Sequence, residues 1–449
     1  MSVTASRLGS SPITLDWSNL VRAASTGSTG KPIPKSDPAL DASEWEQAWT
    51  GLKDRFAKGE VGFYDSPVTP DLSQQQESET LASEILKSGR FTDCLFLGIG
   101  GSALGPISFL AAVQEKASSA MRFHFAENPD PVDWKTTLGR LSPESTLVCV
   151  VTKSGTTFET VSQFLAAAEW LGRSRLKTNL VAITDPSKGD LRAFAAKEGI
   201  RTLAIAPPIG GRFSVFSPVG LFPARLAGLS TSDFLLGAKQ VRDYIEKTPA
   251  EKNPLFIIGQ EFVRQASRRS VHVCMPYSNR LRMIGDWFVQ LWGESLGKDG
   301  KGFTPLAAVG ATDQHSILQL LRDGPDDKIT LFLTVDHVDD PVKIPKIDFG
   351  PGHGEYTSFK LLQGHTFQDL LQIEYRATSQ VLTRQGRPNL TLRLDRLDER
   401  ALGALYFAFS VLTAFTGALM NVNPFDQPGV EEGKIYTREA LTEQRSPTD

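Results

Sequence analysis

The middle of the chain alternates between short apolar runs and amphipathic stretches. Almost continuously apolar runs, as expected of strands buried on both faces, occupy residues 94–97, 121–126, 146–152 and 179–184. Segments 103–115 and 158–171 carry apolar residues at helical spacing and predict helices between these runs. This alternation predicts an α/β fold with a parallel, doubly wound sheet that helices cover on both faces.

A second alternation follows the sequence Pro207-Pro208-Ile-Gly-Gly-Arg212, which predicts a boundary because proline and glycine interrupt regular structure. The later strands are predicted at 270–274, 303–307, 328–334 and 390–394. The later helices are predicted at 219–229, 231–246, 280–296, 316–322, 366–383 and 401–420. The second half is therefore expected to form another α/β sandwich.

The first 84 residues lack this alternation. Trp45, Trp49, Leu52 and Phe56 recur at helical spacing, which predicts an amphipathic helix over 44–58 that packs on another part of the protein. A second helix is predicted over 77–88. We therefore expect a helical N-terminal segment that packs on the larger domain.

The composition narrows the class of protein. Apolar residues make up 40% of the 449 residues and the net charge is −3 with both signs interspersed, which argues against a nucleic-acid surface. No signal peptide is recognised, and no apolar run is expected to be long enough to span a membrane. Cys94, Cys149 and Cys274 each lie in an apolar run, which predicts buried free thiols and a cytoplasmic location.

Two loops that follow predicted strands carry groups suited to an anion. Gly98-Ile-Gly-Gly-Ser102 and Thr152-Lys-Ser-Gly-Thr-Thr157 each precede a predicted helix, whose free N–H groups favour negative charge. Gly98-x-Gly100-x-x-Ala103 also fits a loose dinucleotide fingerprint, with Glu127 as its acidic residue. The hydroxyl-rich second loop favours a compact phosphate, although simple tight turns remain the alternative.

Three further positions suggest catalytic chemistry. Arg212 lies in the glycine-flanked sequence Gly210-Gly-Arg-Phe-Ser214, where a surface ion pair is the plain alternative. Gln290 and Glu294 are four residues apart and share one helix face, although Glu294 could simply pair with Lys298. His315, in Thr312-Asp-Gln-His315, follows a predicted strand, and a structural role is the alternative.

The stretch Gly417-Ala-Leu-Met-Asn-Val-Asn-Pro-Phe-Asp-Gln-Pro-Gly-Val-Glu-Glu-Gly-Lys434 has an unusual design. An apolar helix leads into it, Asn423-Pro424 ends that helix, and a turn-prone segment with Gln427 follows. Taken alone, it fits an ordinary helix–turn–helix near the surface.

This stretch resembles the C-terminal signature of the phosphoglucose isomerase family. The loops at 98–102, 152–157, 210–214, 294–298 and 312–315 resemble that family's other motifs, in the same order along the chain. The resemblance implies two sugar-isomerase (SIS) domains with flavodoxin-like sheets. It also implies isomerisation of glucose 6-phosphate to fructose 6-phosphate through a cis-enediol, without a metal or an organic cofactor.

The resemblance assigns one set of residues to substrate binding. Thr152, Ser154 and Thr157 are expected to bind the 6-phosphate, with Lys153 beside it. The remaining expected sugar contacts are Gly101, Ser102, Gln290 and Gln427.

A second set is expected to carry the chemistry. Glu294 would be the base, Arg212 would stabilise the enediolate, and His315 and Lys434 would open the sugar ring. Glu159 would orient His315. In the family this histidine comes from the partner subunit, so the resemblance implies a homodimer with composite sites.

The expected domains are an N-terminal segment (1–84), two sandwiches (85–210 and 211–420) and a C-terminal arm (421–449). Pro207-Pro208 and Leu296 depart from the family's motifs. An isomerase that also accepts mannose 6-phosphate and a non-catalytic sugar-phosphate-binding regulator remain alternatives. A dehydrogenase, which the dinucleotide fingerprint would imply, is a weaker alternative than these two.

Overall fold

The computed structural model describes residues 5–25, 42–67, 72–348, 350 and 356–443. The strands in these ranges are β1 Ala5–Arg7, β2 Ile13–Asp16, β3 Asp93–Leu97, β4 Arg122–Ala126, β5 Thr146–Val151, β6 Leu180–Thr184, β7 Arg201–Ala204, β8 Val271–Pro276, β9 Thr304–Ala307, β10 Lys328–Val335 and β11 Asn389–Leu394.

The helices that precede the middle of the chain are α1 Ser18–Ser25, α2 Ala42–Ala57, α3 Leu72–Lys87, α4 Leu104–Val113, α5 Pro131–Leu138, α6 Phe158–Leu171, α7 Arg173–Asn179, α8 Asp190–Glu198 and α9 Pro218–Leu226. The later helices are α10 Thr231–Lys247, α11 Pro254–Arg264, α12 Arg282–Leu296, α13 Leu318–Asp323, α14 Thr357–Leu362, α15 Phe367–Arg384, α16 Glu399–Leu419 and α17 Glu431–Glu443.

The first sheet has five parallel strands in the order β4-β3-β5-β6-β7. Every residue of β3, β5 and β6 is buried because separate apolar clusters cover the two faces, which confirms the predicted α/β fold. Strand β7 was not predicted. It lies at the sheet edge, and three of its four residues are only partly buried, so it lacks a continuous apolar run.

The second sheet has the order β1-β2-β11-β10-β8-β9, with β8 to β11 parallel. The chain's N-terminus completes it, because β2 pairs antiparallel with β11 and places Leu15 opposite Leu392. The expectation of a helical N-terminal segment therefore needs correction at its start. Strand β2 has four residues and buries only Ile13 and Leu15. Its alternation of buried and partly buried residues is therefore too short to predict a strand.

The predicted domain boundaries remain a prediction, and one helix shows how closely the two halves join. Helix α9 lies beyond the expected boundary at 210/211. It packs Val219, Phe222 and Leu226 into the apolar cluster on the first sheet. Residues 444–449 of the predicted arm lie outside the described ranges.

Helix α16 forms the centre of the largest apolar cluster, where it packs against α2, α10, α11 and α12. By length and composition it could cross a bilayer, so the expectation that no run is long enough was wrong. Within the protein, however, 89% of its most apolar 18-residue window is buried. Composition alone does not separate such a core helix from a membrane span.

The order of the first sheet places two loops side by side. The chain leaves β3 for the edge strand β4 and then crosses back to β5 on the other side of β3. The loops after β3 and β5 therefore diverge and leave a crevice at the carboxyl ends of these strands, where ligands bind in open parallel sheets. These are the loops 98–102 and 152–157.

Helices α10 and α16 touch backbone to backbone at two glycines, which yields a first prediction. A Cβ atom on Gly403 would lie 1.8 Å from the carbonyl oxygen of Phe234. We expect Gly403→Ala to cost about 3 kcal/mol and to lower Tm, since two packed helices must separate. Thermal unfolding tests this. Gly433→Ala, in the exposed helix α17 with nothing within 4 Å, is the matched control and should not lower Tm, since alanine favours a helix. An unchanged Tm for Gly403→Ala would contradict the close packing.

Candidate active site

A buried arginine joins the two halves of the chain. Arg212 lies in a short 3-10 turn, Gly211–Phe216, and its side chain is almost completely buried. Its Nη2 atom donates to the carbonyl oxygens of Pro424 (2.6 Å) and Asp426 (2.9 Å), and Nη1 donates to Oε1 of Gln427 (2.9 Å). The guanidinium group thus holds the C-terminal turn predicted from Asn423-Pro424, and it is not a surface ion pair.

The C-terminal end of α12 satisfies the remaining donors of Arg212. Nε donates to Oγ of Ser295 at 2.7 Å, and Nη1 donates to Oε2 of Glu294 at 3.2 Å. Burial lowers the pKa of Arg212, while the Glu294 carboxylate acts in the opposite direction. Arginine suits this position because its donors are fixed in a planar fork.

Glu294 lies at the open side of this network. Its side chain is 33% exposed, while Trp287, Phe288 and Trp292 of the same helix are buried in the core. The carboxylate also accepts a hydrogen bond from Nε2 of Gln290, at 3.0 Å, as the spacing of four residues predicts. The carboxylate thus faces the crevice with one oxygen bound to a cation and the other to an amide.

The loop 98–102 touches this group through Gly100 and Gly101. A Cβ atom on Gly100, where φ is +56°, would lie 2.9 Å from Nε2 of Gln290, and one on Gly101 would lie 2.2 Å from the backbone of Gly211. Oγ of Ser214 donates to the carbonyl oxygen of Gly101 at 3.1 Å. Glycine at these positions therefore lets the first-sheet loop reach α12 and the loop of Arg212, with Ser102 at the end of the same turn.

The loop 152–157 forms a cluster of hydroxyl groups. Oγ1 of Thr152 lies 2.8 Å from Oγ1 of Thr157, and Oγ of Ser154 lies 3.4 and 3.3 Å from these two atoms. Thr157 is the N-cap of α6, yet its side chain does not bond the first backbone N–H groups of that helix. Three hydroxyls and free helix N–H groups at one point are suited to a phosphate-sized anion.

Lys153 does not join this cluster. Its ammonium group donates to the carbonyl oxygens of Pro207 (2.7 Å) and Ile209 (2.9 Å), and burial lowers its pKa. The Pro207-Pro208 segment that departs from the family's motif is thus held by this lysine. Its charge lies beside the phosphate loop in the sequence, but its hydrogen bonds are made to the connection between the two halves.

His315 does not meet Glu294 within one chain. Helix α12 runs back between the parallel strands β8 and β9, so Glu294 near its end lies at the amino edge of these strands. His315 follows β9 and lies at the carboxyl edge, where its side chain is exposed. Glu159, in the first turn of α6, has no hydrogen bond to His315 in the described residues.

Lys434 lies in the first turn of α17. Every side chain from Glu431 to Glu443 is exposed, and Lys434 pairs with Glu431 in the same helix at 2.6 Å. One turn further on, the guanidinium carbon of Arg438 lies 6.0 Å from the ring centre of Phe158, the first residue of α6. Helix α17 therefore runs past the end of the hydroxyl cluster.

Sequence reasoning missed two residues of this site. Ser295 is fully buried beneath Arg212, and Lys298 donates to the carbonyl oxygens of Ser295 (3.0 Å) and Asn423 (2.6 Å). Lys298 pairs with Asp426 at 3.4 Å, whereas Glu294 pairs with Arg212, so the expected alternative of a Glu294–Lys298 pair is wrong. The sequence could have indicated both residues, since both belong to the motif that begins with Glu294.

Glu127, the acidic residue of the dinucleotide alternative, lies near Asp286 of α12, and burial together with this second carboxylate raises the pKa of Glu127. A parallel sheet with a hydroxyl cluster and an arginine–carboxylate pair at one crevice defines an enzyme of the sugar-isomerase class.

Comparisons with known proteins agree with this class. The phosphoglucose isomerase family profile matches residues 73–448. The chain is 42% identical over 439 residues to the glucose-6-phosphate isomerase of Rubrobacter xylanophilus, which covers 95% of this chain and 97% of that protein. It is 37% identical over 427 residues to the enzyme of the same name from Carboxydothermus hydrogenoformans, which covers 90% of each chain.

Solved structures show the same fold. A hypothetical protein of Thermus thermophilus matches with a TM-score of 0.82 and 35% identity, over 89% of this chain and 95% of that one. A glucose-6-phosphate isomerase of Chlamydia trachomatis, 20% identical, matches with a TM-score of 0.73 over 99% of this chain and 91% of that one. The chain belongs to the phosphoglucose isomerase family and is an isomerase.

The bonds of Arg212 generate a prediction about stability. The buried guanidinium group of Arg212 donates to five groups, which a lysine ammonium group cannot do. Arg212→Lys should therefore leave acceptors unpaired and lower Tm by about 5 °C or more. Thermal unfolding measures this. Arg173→Lys is the control, because the Arg173 side chain is 88% exposed and its partner Glu198 is 3.7 Å away. Equal Tm values for the two variants would show that the network is not needed for the fold.

Proposed function

We propose that this chain interconverts glucose 6-phosphate and fructose 6-phosphate. The observation that carries the proposal is the pairing of Glu294 with the buried Arg212 at the crevice next to the hydroxyl cluster. The reaction oxidises C2 and reduces C1 within one molecule, so it needs a base, a cation and a dry site but no external electron carrier.

The hydroxyl cluster binds the 6-phosphate in this proposal. Thr152, Ser154 and Thr157 donate to its oxygens, and the N-terminus of α6 adds the positive end of its dipole. Gly101 and Ser102 line the sugar, with the amide groups of Gln290 and Gln427 on its hydroxyls. The buried Oε1 atom of Gln290 has no partner within the described residues, so it can accept a bond from such a hydroxyl. Lys153 acts beside this site and not on the phosphate.

Glu294 moves the proton in this proposal. Once the ring is open, its carboxylate takes the C2 proton and returns it to C1, and the charge between these steps lies on the enediolate oxygens. Nη1 of Arg212 stabilises that charge, since it is the nitrogen whose partners are the side chains of Glu294 and Gln427. The other nitrogens keep the guanidinium group fixed, so little reorganisation accompanies the chemistry.

Ring opening uses His315 and Lys434, and the first of these comes from a second copy of the chain. Two observations support a homodimer. His315 and Glu294 lie at opposite edges of the second sheet within one chain. Helix α17 and the described residues between 342 and 373 expose large apolar side chains, which suit an interface. These residues are Val342, Ile347, Tyr356, Phe359, Leu361, Leu362, Phe367, Ile373, Ile435, Tyr436 and Leu441.

The alternatives are less well supported. A sugar-phosphate-binding regulator would need the loops 98–102 and 152–157, but it would have no use for a fixed Arg212–Glu294 pair. An enzyme that also accepts mannose 6-phosphate would use the same groups. We favour the narrower reaction because the named relatives are glucose-6-phosphate isomerases.

A cytoplasmic location is part of the proposal. Cys94, Cys149 and Cys274 are free and fully buried, and burial raises the pKa of each thiol. Three separate unreactive thiols are typical of a reducing compartment.

Glu294→Gln tests the reaction and the base together. The wild-type chain should convert fructose 6-phosphate to glucose 6-phosphate in a coupled assay. Glu294→Gln should lose at least about 100-fold in kcat while inhibition by inorganic phosphate persists, because the base is lost and the hydroxyl cluster is untouched. Glu46→Gln, an exposed carboxylate on α2, is the control and should keep full activity. A wild-type chain that binds phosphate without turnover would favour the regulator, and an active Glu294→Gln would refute the base.

Mixing two inactive variants tests the composite site. A heterodimer of His315→Ala and Glu294→Gln chains has one site with both residues intact, so it should regain about half of the wild-type activity. His315→Ala mixed with the double variant His315→Ala, Glu294→Gln is the control and should stay inactive. If the first mixture exchanges subunits but stays inactive, each site uses residues of a single chain.

A further inference from the structure

Helix α2 lies outside the part of the chain that the family profile matches, which begins at residue 73. We propose that Arg55 of this helix is a positioning residue, which acts through Asn423 on the turn that holds Gln427 and Arg212. The inference rests on the function proposed above and adds a residue to its machinery. It also gives the N-terminal segment a role in catalysis.

Arg55 contacts the turn in two ways. Its Nη1 atom donates to Oδ1 of Asn423 at 2.9 Å, and its guanidinium carbon lies 4.6 Å from the ring centre of Phe425. Nε of the same side chain donates to Oε2 of Glu60 at 3.0 Å, which fixes the direction of the guanidinium group. A planar cation that bonds one residue and stacks on another restrains both.

The turn needs such restraint because side chains largely define its shape. The N–H of Phe425 bonds Oδ1 of Asn423 at 3.3 Å, and Nδ2 of Asn423 donates to Oδ2 of Asp426 at 2.6 Å. Oδ1 of Asn423 therefore accepts from Arg55 and from the backbone of the turn at the same time. Two hydrogen bonds, which meet at Asn423, link Arg55 to Asp426. The carbonyl oxygen of Asp426 in turn accepts a hydrogen bond from Arg212.

Three cations hold this one turn from different sides. Arg212 donates to the carbonyl oxygens of Pro424 and Asp426 from within, and Lys298, just beyond the end of α12, donates to the carbonyl oxygen of Asn423. Arg55 supplies the third side. Because Arg212 and Gln427 share a bond across the turn, a shift of the turn changes the direction of the Nη1 atom beside Glu294.

Packing between α2 and the turn is loose elsewhere. A cavity of about 450 Å³ lies between α2 and the end of α16. Gly51, Leu52 and Arg55 line it on one side, and Asn421 and Val422 on the other. Arg55 lines the same space, and its hydrogen bond to Asn423 reaches from α2 to the turn beside the cavity.

Loss of Arg55 should affect turnover more than folding. The side chain is one-third exposed and its pairing with Glu60 is a surface contact, which contributes little to stability. The direction of a donor at a reacting group, in contrast, affects the transition state strongly, since small misplacements are costly there.

The first experiment uses Arg55→Met, which keeps the apolar stem and removes the guanidinium group. We expect kcat for fructose 6-phosphate to fall about 10-fold, equivalent to about 1.4 kcal/mol, with KM changed less than about 2-fold because the phosphate loop is untouched. Arg55→Lys should recover part of the loss, since it can still donate to Asn423. Lys58→Ala, an exposed cation at the end of the same helix, is the control and should match the wild type.

A double-mutant cycle with Asn423→Ala separates positioning from a merely structural role. If Arg55 acts through Asn423, Arg55→Met should change kcat less than about 2-fold in the Asn423→Ala background. The inference would be overturned if Arg55→Met kept the wild-type kcat. It would also be overturned if the fold-losses in kcat of the two single variants multiplied in the double variant. An inactive wild type would instead refute the proposed function. If Arg55→Met does not fold, the cycle of Arg55→Lys with Asn423→Ala decides by the same rule.

Discussion

The structure depends on the cost of burying one guanidinium group. Arg212 is removed from water between the two sheets, and an unpaired charge there would be strongly destabilising. Its donors are satisfied by α12 and by the turn 424–427, two segments more than a hundred residues apart in the sequence. The C-terminal turn, the end of α12 and the loop of Arg212 are therefore fixed relative to one another. The crevice between them takes its shape from this constraint.

Glycines bring the first sheet to the same point. Gly101 lies against the backbone of Gly211 with no room for a side chain, so the loop after β3 joins the network around Arg212. The hydroxyl cluster after β5 then lies beside it because β3 and β5 are neighbours in the sheet. The groups proposed to bind phosphate are thus positioned by the topology of the sheet, and those proposed to transfer the proton are positioned by a buried charge.

The sequence predicted most of the fold because buried strands are continuous apolar runs, as β3, β5, β6 and β10 are. It failed for β1, β2 and β7, which are short and incompletely buried. Of the candidate site, motifs predicted Arg212 and Glu294, but their pairing is a contact over 82 residues that no local pattern shows. The direction of Lys153 and the burial of Ser295 likewise depend on distant partners, Pro207 and Arg212.

The turn at 424–427 also constrains when the protein becomes an enzyme. Because Arg212 takes three of its hydrogen bonds from this turn, the network around Glu294 cannot close before residues 424–427 are available. A nascent chain that has already formed both sheets would still lack these three partners of Arg212, although Glu294 and Ser295 would be present. The network around Glu294 therefore forms only after residue 427 has been synthesised, and a product truncated before the turn would bury Arg212 without three of its five partners.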